Sequence, residues 1–175
     1  RSAITGHLVL STLHTNDAVG AVIRLIDMGV EQFLLASSMI GVISQRLIRV
    51  LCPMCKEKSS ITPQEMQILE AIDINGIVKE LYSPVGCSFC NFMGYRGRTG
   101  IFEIFIITDD VKYALSENIT EQDITELAIH SGMEPMKDQC LALLANGTTD
   151  VREVLKIVYS NDLMRVSGGG GHISI

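Results

Sequence analysis

The sequence predicts an α/β protein interrupted by a small cysteine-clipped insert and ending in helices. Three observations carry that expectation. The first 28 residues read as an apolar strand, a polar turn and an amphipathic helix, an order that belongs to α/β architecture. Two C-x-x-C pairs, Cys52-Pro53-Met54-Cys55 and Cys87-Ser88-Phe89-Cys90, bracket a polar stretch. After Gly94 a single strand-like run gives way to successive capped helices.

Taken in order, Gly6 to Leu13 is β-rich and almost continuously apolar, as expected of a strand buried on both faces of a parallel sheet. His14-Thr15-Asn16-Asp17 ends it and supplies three candidate N-caps. Ala18 to Met28 has helical periodicity in Val19, Val22, Ile23 and Ile26, and Gly29 suits the C′ position. Glu31 to Leu51 reads as a second, longer helix. Within the insert, Thr62-Pro63-Gln64-Glu65 is a capping box that predicts a helix from Pro63 to Ile72, and Asn75-Gly76 is a turn. Gly94 to Gly100 reads as a Gly/Arg-rich turn, and Ile101 to Ile107 as a strand interrupted only by Glu103. Thr108 and Thr120 cap helices, the second of which ends at Ser131-Gly132. Met133 to Ala145 forms another, and Asp150 with Glu153 starts a last one through Tyr159. The unbroken glycines from Gly168 to Gly171 read as a linker or an appended tail.

At 175 residues the chain suffices for one domain, or for a core piece with a small module. It is 47% hydrophobic, which suits a buried-sheet or helix-rich protein. The net charge of −6 argues against a dedicated nucleic-acid binder, which would normally be basic. The longest apolar stretch, Phe33 to Ile43, is too short and too interrupted to span a bilayer. The chain opens at Arg1 directly before an apolar run, and so reads as part of something longer.

Each C-x-x-C has the spacing of a zinc knuckle, in which two thiolates from one tight turn bind the same ion. Two knuckles supply the four sulfurs of a tetrahedral site, so Cys52, Cys55, Cys87 and Cys90 are the expected metal ligands. With all positions filled by sulfur, such a zinc is structural. Iron in a rubredoxin-like cage is the second reading, although Lys56 and Asn91 stand where a rubredoxin knuckle usually has glycine. A disulfide framework is the third, and five cysteines, four of them paired, fit a reducing compartment with a metal better. Cys140, in an apolar helical run, reads as a buried small hydrophobe.

His7 and His14 cannot share an ion on a continuous strand: an odd separation points them to opposite faces, roughly 23 Å apart at about 3.3 Å per residue. His14 is the sharper candidate, because α/β folds place ligands at the carboxyl ends of parallel strands. A hydrogen-bonded structural role is the plain alternative for both. Arg24, Arg46, Arg49, Arg96 and Arg98 are candidate anion contacts, with a solvated face as the alternative. No G-x-x-x-x-G-K-[S/T] phosphate loop occurs, and no complete active site can be assembled from the sequence.

Together these motifs resemble a known family. Thr5-Gly6-His7-Leu8-Val9-Leu10-Ser11-Thr12-Leu13-His14-Thr15-Asn16-Asp17-Ala18 is similar to the histidine box of the secretion ATPases of type II secretion and type IV pilus assembly. Arg24 to Val30, Gln45 to Pro53, the tetracysteine module and Gly94 to Glu103 continue the likeness, which covers about residues 1–160. The resemblance implies a RecA-like, hexameric P-loop ATPase that drives protein secretion or pilus assembly. It would be cytoplasmic, peripheral on the inner face of the cytoplasmic membrane, and would engage an inner-membrane platform. ATP and Mg²⁺ would be its cofactors, with structural zinc.

On that resemblance this chain is the part C-terminal to the Walker B motif, and alone is inactive. Residues 1–51 and 91–108 would belong to the ATPase core. Residues 52–90 would be the zinc insert, 109–164 a helical subdomain and 165–175 a flexible tail. His7 and His14 match the histidine box, near the nucleotide, and Arg24 and Arg98 match basic positions reaching nucleotide across a subunit boundary. The tetracysteine module is a feature of assembly and export members and is lacking in pilus-retraction members. The competing reading is a stand-alone zinc-ribbon module that binds protein or nucleic acid, and the acidic balance counts against nucleic acid.

Overall fold

The computed structural model describes residues 2–60, 62, 63, 80–117 and 119–158. The helix expected from Pro63 to Ile72, the turn at Asn75-Gly76 and the glycine-rich tail lie outside them. The chain divides into two compact units: residues 1–45 with 102–135, and residues 46–101 with 136–175.

In the first unit, α1 (Ala18–Asp27) begins at Asp17, whose carboxylate accepts the Gly20 amide, and ends with Met28 as C-cap and Gly29 in the left-handed region. α2 (Gln32–Ser38) follows. Phe102 to Ile106 belong to β4 (Tyr95–Ile106), and their side chains alternate between buried and exposed. α3 (Asp109–Ser116) is capped by Thr108 and α4 (Glu121–His130) by a Thr120–Asp123 box, as the sequence predicts. α2 packs on α3, and α4 packs on both α1 and α3. Val19, Val22, Leu35, Phe105, Leu115 and Ile124 lie in the shared core.

In the second unit, β2 (Lys56–Ser59) pairs antiparallel with β3 (Leu81–Pro84), Lys56 opposite Pro84 and Ser59 opposite Leu81. α5 (Met136–Ala145) and α6 (residues 151–158) pack their apolar faces around Ile48, Leu81 and Ile101. Asp150 caps α6 by accepting the Glu153 amide. Cys140 is fully buried in this core, as the sequence predicts, and burial pushes its thiol up to about 12.

β1 (Gly41–Leu51) pairs with β4. Bonds from the Ile107 amide to the Ile40 carbonyl and from the Cys52 amide to the Gly94 carbonyl, at opposite ends, make the pair antiparallel. β1 corrects the expected helix over Glu31–Leu51, of which only Gln32–Ser38 is helical. Val42, Ile43, Ile48 and Val50 are β-branched, and Gly41 sits where a Cβ would lie 2.9 Å from the Phe105 carbonyl. Pairing with β4 outweighs a pattern that also fits helical spacing.

Two further expectations change. Gly94 to Gly100 is not a turn: from Tyr95 onward it is strand, and Gly97, at φ 79°, supplies the left-handed kink within it. Nor is Gly6–Leu13 a doubly buried strand. Residues 7–15 are irregular and largely exposed, with Leu8 at 76% and Leu10 at 88%. A strand exists only through its ladder, and among the described residues no strand pairs with this run.

Candidate metal centre

The four paired cysteines converge. Cys52 directly follows β1, Cys55 directly precedes β2, and Cys87 precedes and Cys90 ends a single 3₁₀ turn, Ser88–Cys90. Sγ–Sγ distances are 3.9 Å for Cys52–Cys87, 3.8 Å for Cys55–Cys90 and 3.9 Å for Cys87–Cys90, and all four sulfurs lie within 4.8 Å of one another. A tetrahedron with metal–sulfur bonds of about 2.3 Å has edges of about 3.8 Å. The donor set therefore fits one tetrahedral thiophilic ion and can hold it.

The backbone is shaped to serve the sulfurs. The Gly86 amide donates to Cys55 Sγ at 3.3 Å, and the Cys87 and Gly94 amides donate to Cys90 Sγ at 3.3 and 3.2 Å. Gly94 has φ 75°, and a Cβ there would sit 2.4 Å from Pro84 Cβ, so glycine is needed for the amide to reach the sulfur. Asn91 follows Cys90 at φ 52°, the left-handed position that glycine would otherwise fill. The sequence comparison with a rubredoxin knuckle identified that position without its conformation.

Electrostatics match a thiolate cage. Burial pushes the Cys90 thiol up, but the Cys87 and Gly94 amides outweigh it and hold the group at about 6. Burial pushes Cys55 up to about 12, against the Gly86 amide. Adjacent sulfurs cannot all carry charge by themselves, and a divalent cation is what allows all four to ionise together.

The module is fastened to the helices of its own unit. Lys56 Nζ donates to the Gly147 carbonyl at 2.7 Å and stands over the Tyr82 ring. The Leu51 amide donates to the Thr148 carbonyl, and Thr149 Oγ1 to the Arg49 carbonyl. Arg49 itself stacks on Tyr95, 3.8 Å from the ring centroid, and pairs with buried Glu153 at 2.7 Å. Tyr95 donates to Asp150 at 2.6 Å. Burial, then this bond, raises the tyrosine above its ordinary range. Sequence reading took Arg49 as a candidate anion contact, and the anion it meets is Glu153. Arg96 is likewise engaged, stacked on Phe89 and donating to its carbonyl at 2.9 Å.

The remaining candidates do not join this cluster. His7, His14, Arg24 and Arg98 are all exposed, and His7 Nδ1 lies 3.1 Å from Thr5 Oγ1. Among the described residues, the only group of three or more metal-ligating side chains is the tetracysteine. Sequence reading missed Glu103. Its buried carboxylate on β4 accepts the Ala18 amide at 3.0 Å, at the start of α1. An acidic residue amid Ile101, Phe102, Ile104 and Phe105 was the available signal.

Fold and site together define a mixed α/β protein with a four-cysteine module threaded into it. Residues 1–156 match the family model described as type II/IV secretion system protein, and the chain belongs to that family. It is 45% identical over 157 residues to type II secretion system protein E of Pseudomonas aeruginosa, covering 90% of this chain and 31% of that protein. It is 41% identical to type II secretion system ATPase E of Vibrio cholerae, again over 90% of this chain and 31% of the relative. Type IV pilus assembly ATPase TfpB of Acinetobacter baylyi is 40% identical, over 90% of this chain and 27% of its own length. The chain thus spans less than a third of the length of these relatives. No helix among the described residues is long and apolar enough to cross a membrane.

Proposed function

We propose that this chain is the C-terminal part of a RecA-like, hexameric motor ATPase that powers type II secretion or type IV pilus assembly. The observation that carries the reading is the likeness, over nine-tenths of the chain, to relatives named as ATPases of both systems. The whole protein hydrolyses ATP with Mg²⁺ on a phosphate loop that this sequence does not contain. It works at the cytoplasmic face of the inner membrane, against a platform protein of the same machinery. Residues 1–175 alone are inactive. The organisation that goes with this reading is core residues 1–51 and 91–108, insert 52–90, helical subdomain 109–164 and tail 165–175.

His7 and His14 are the catalytic-side residues, coupling nucleotide state to the subunit boundary. Arg24 and Arg98 supply charge to nucleotide held by a neighbouring subunit. Their exposure supports this role, since a residue that acts across an interface must be free to reach it. Cys52, Cys55, Cys87 and Cys90 hold a structural zinc, which would fix the module without touching the phosphates. A zinc ribbon acting alone would leave residues 1–51 and 109–158 without a purpose.

The test is steady-state ATP hydrolysis by the full-length protein and its Arg98→Ala and His14→Ala variants. Loss of tenfold or more in kcat/KM, with the hexamer intact, is expected for each, about 1.4 kcal/mol of transition-state stabilisation. Wild-type turnover in both variants would remove these residues from the site.

A further inference from the structure

We propose that Glu103 is a positioning residue for the histidine-bearing turn at the head of α1. This deepens the nucleotide-site reading above and rests on it. Glu103 is an acidic residue at 6% exposure on a strand whose inward neighbours, Ile101 and Phe105, are apolar. A carboxylate is kept in such a place only when it is well bonded. It accepts the Ala18 amide at 3.0 Å, across 85 residues of sequence. Ala18 is the first residue of α1, and its amide is one that the helix cannot satisfy internally.

Two more contacts hold the same turn. Asp17 accepts the Gly20 amide at 2.6 Å, and Ser44 Oγ donates to the Asn16 carbonyl at 3.5 Å. Asp17 fixes the helix start locally. Glu103 and Ser44 bind the turn to the strands, β4 and β1 respectively. Residues 14–17 leave the helix from this anchored point, so the direction in which His14 is presented depends on it. The helix N-terminus also favours the negative charge of Glu103, which adds to the bond.

Two measurements test this together. Backbone amide exchange on this chain follows residues 14–20 in Glu103→Ala, Glu103→Gln and Ile124→Ala, the last removing bulk from the same core without touching the turn. Glu103→Ala is expected to speed exchange at Ala18 and the turn at least tenfold, Glu103→Gln to restore most protection, and Ile124→Ala to leave the turn no more exposed than the core. In the full-length protein, Glu103→Ala is expected to lower kcat about tenfold with KM for ATP within twofold, and Glu103→Gln to rescue most of it. Ile124→Ala, at equal loss of thermal stability, should keep kcat within threefold. Equal losses in Glu103→Ala and Ile124→Ala, or unchanged exchange in Glu103→Ala, would overturn the proposal. If the wild-type protein lacks turnover, the ATPase reading fails, and the exchange measurement still decides whether Glu103 orders the turn.

Discussion

At the scale of single residues, two groups of charges govern stability, and they act in different ways. The thiolates need a cation. Cys52→Ser/Cys55→Ser leaves only two sulfurs, and the expected result is loss of the one equivalent of zinc together with the fold of residues 52–60 and 80–90. Metal analysis after gel filtration, with amide exchange across the module, reads both. Iron in the purified protein would reassign the ion while keeping the ligands. Glu153 needs no metal. Burial pushes its carboxyl up, but the Arg49 side chain, Lys156 and the Arg49 amide outweigh it and hold the group at about 2, below its ordinary 4.5. Because the folded value is depressed, its stabilisation is present above about pH 4.5 and is lost as pH falls toward 2. The contribution is on the order of 2 kcal/mol once screening through the half-exposed Arg49 is allowed for. Thermal melts from pH 7 to pH 3 should show a shallower acid loss in Glu153→Gln than in wild type. Metal release at low pH is common to both and cancels in the difference.

At the scale of elements, the caps were legible and the ribbon was not. Asp17, Thr108 and Thr120 each accept the amide that their residue types advertise. Cap chemistry is local, and the sequence carries it whole. In β1, Ile43, Leu47 and Ile48 have the i, i+4, i+5 spacing of a helix, and pairing with β4 overrides it. The run at 7–15 has a strand's composition, but among the described residues no strand pairs with it. The cysteine spacing gave the ligands, whereas the amides of Gly86 and Gly94 that serve them emerge only from the folded loops. Glycine at 94 offers a test of that point. Gly94→Ala must accommodate φ 75° and a Cβ 2.4 Å from Pro84, a cost of about 1–3 kcal/mol. It should release metal at lower chelator concentration than wild type, with α1 and α4 unaffected in amide exchange.

At the scale of the whole molecule, the chain carries a tetracysteine cluster and arginines but no phosphate loop, and its match spans less than a third of its relatives' length. Leu8, Val9 and Leu10 lie exposed in the segment that carries His7 and His14. The central claim is that chemistry belongs to the assembled protein, with these residues contributing from one side of the nucleotide. Mg²⁺-dependent ATP turnover, measured in parallel on the full-length protein and on residues 1–175 alone, addresses it directly. Turnover by the full-length protein and none by residues 1–175 is the expected result. Hydrolysis sustained by residues 1–175, or a folded full-length protein with no turnover, would contradict it.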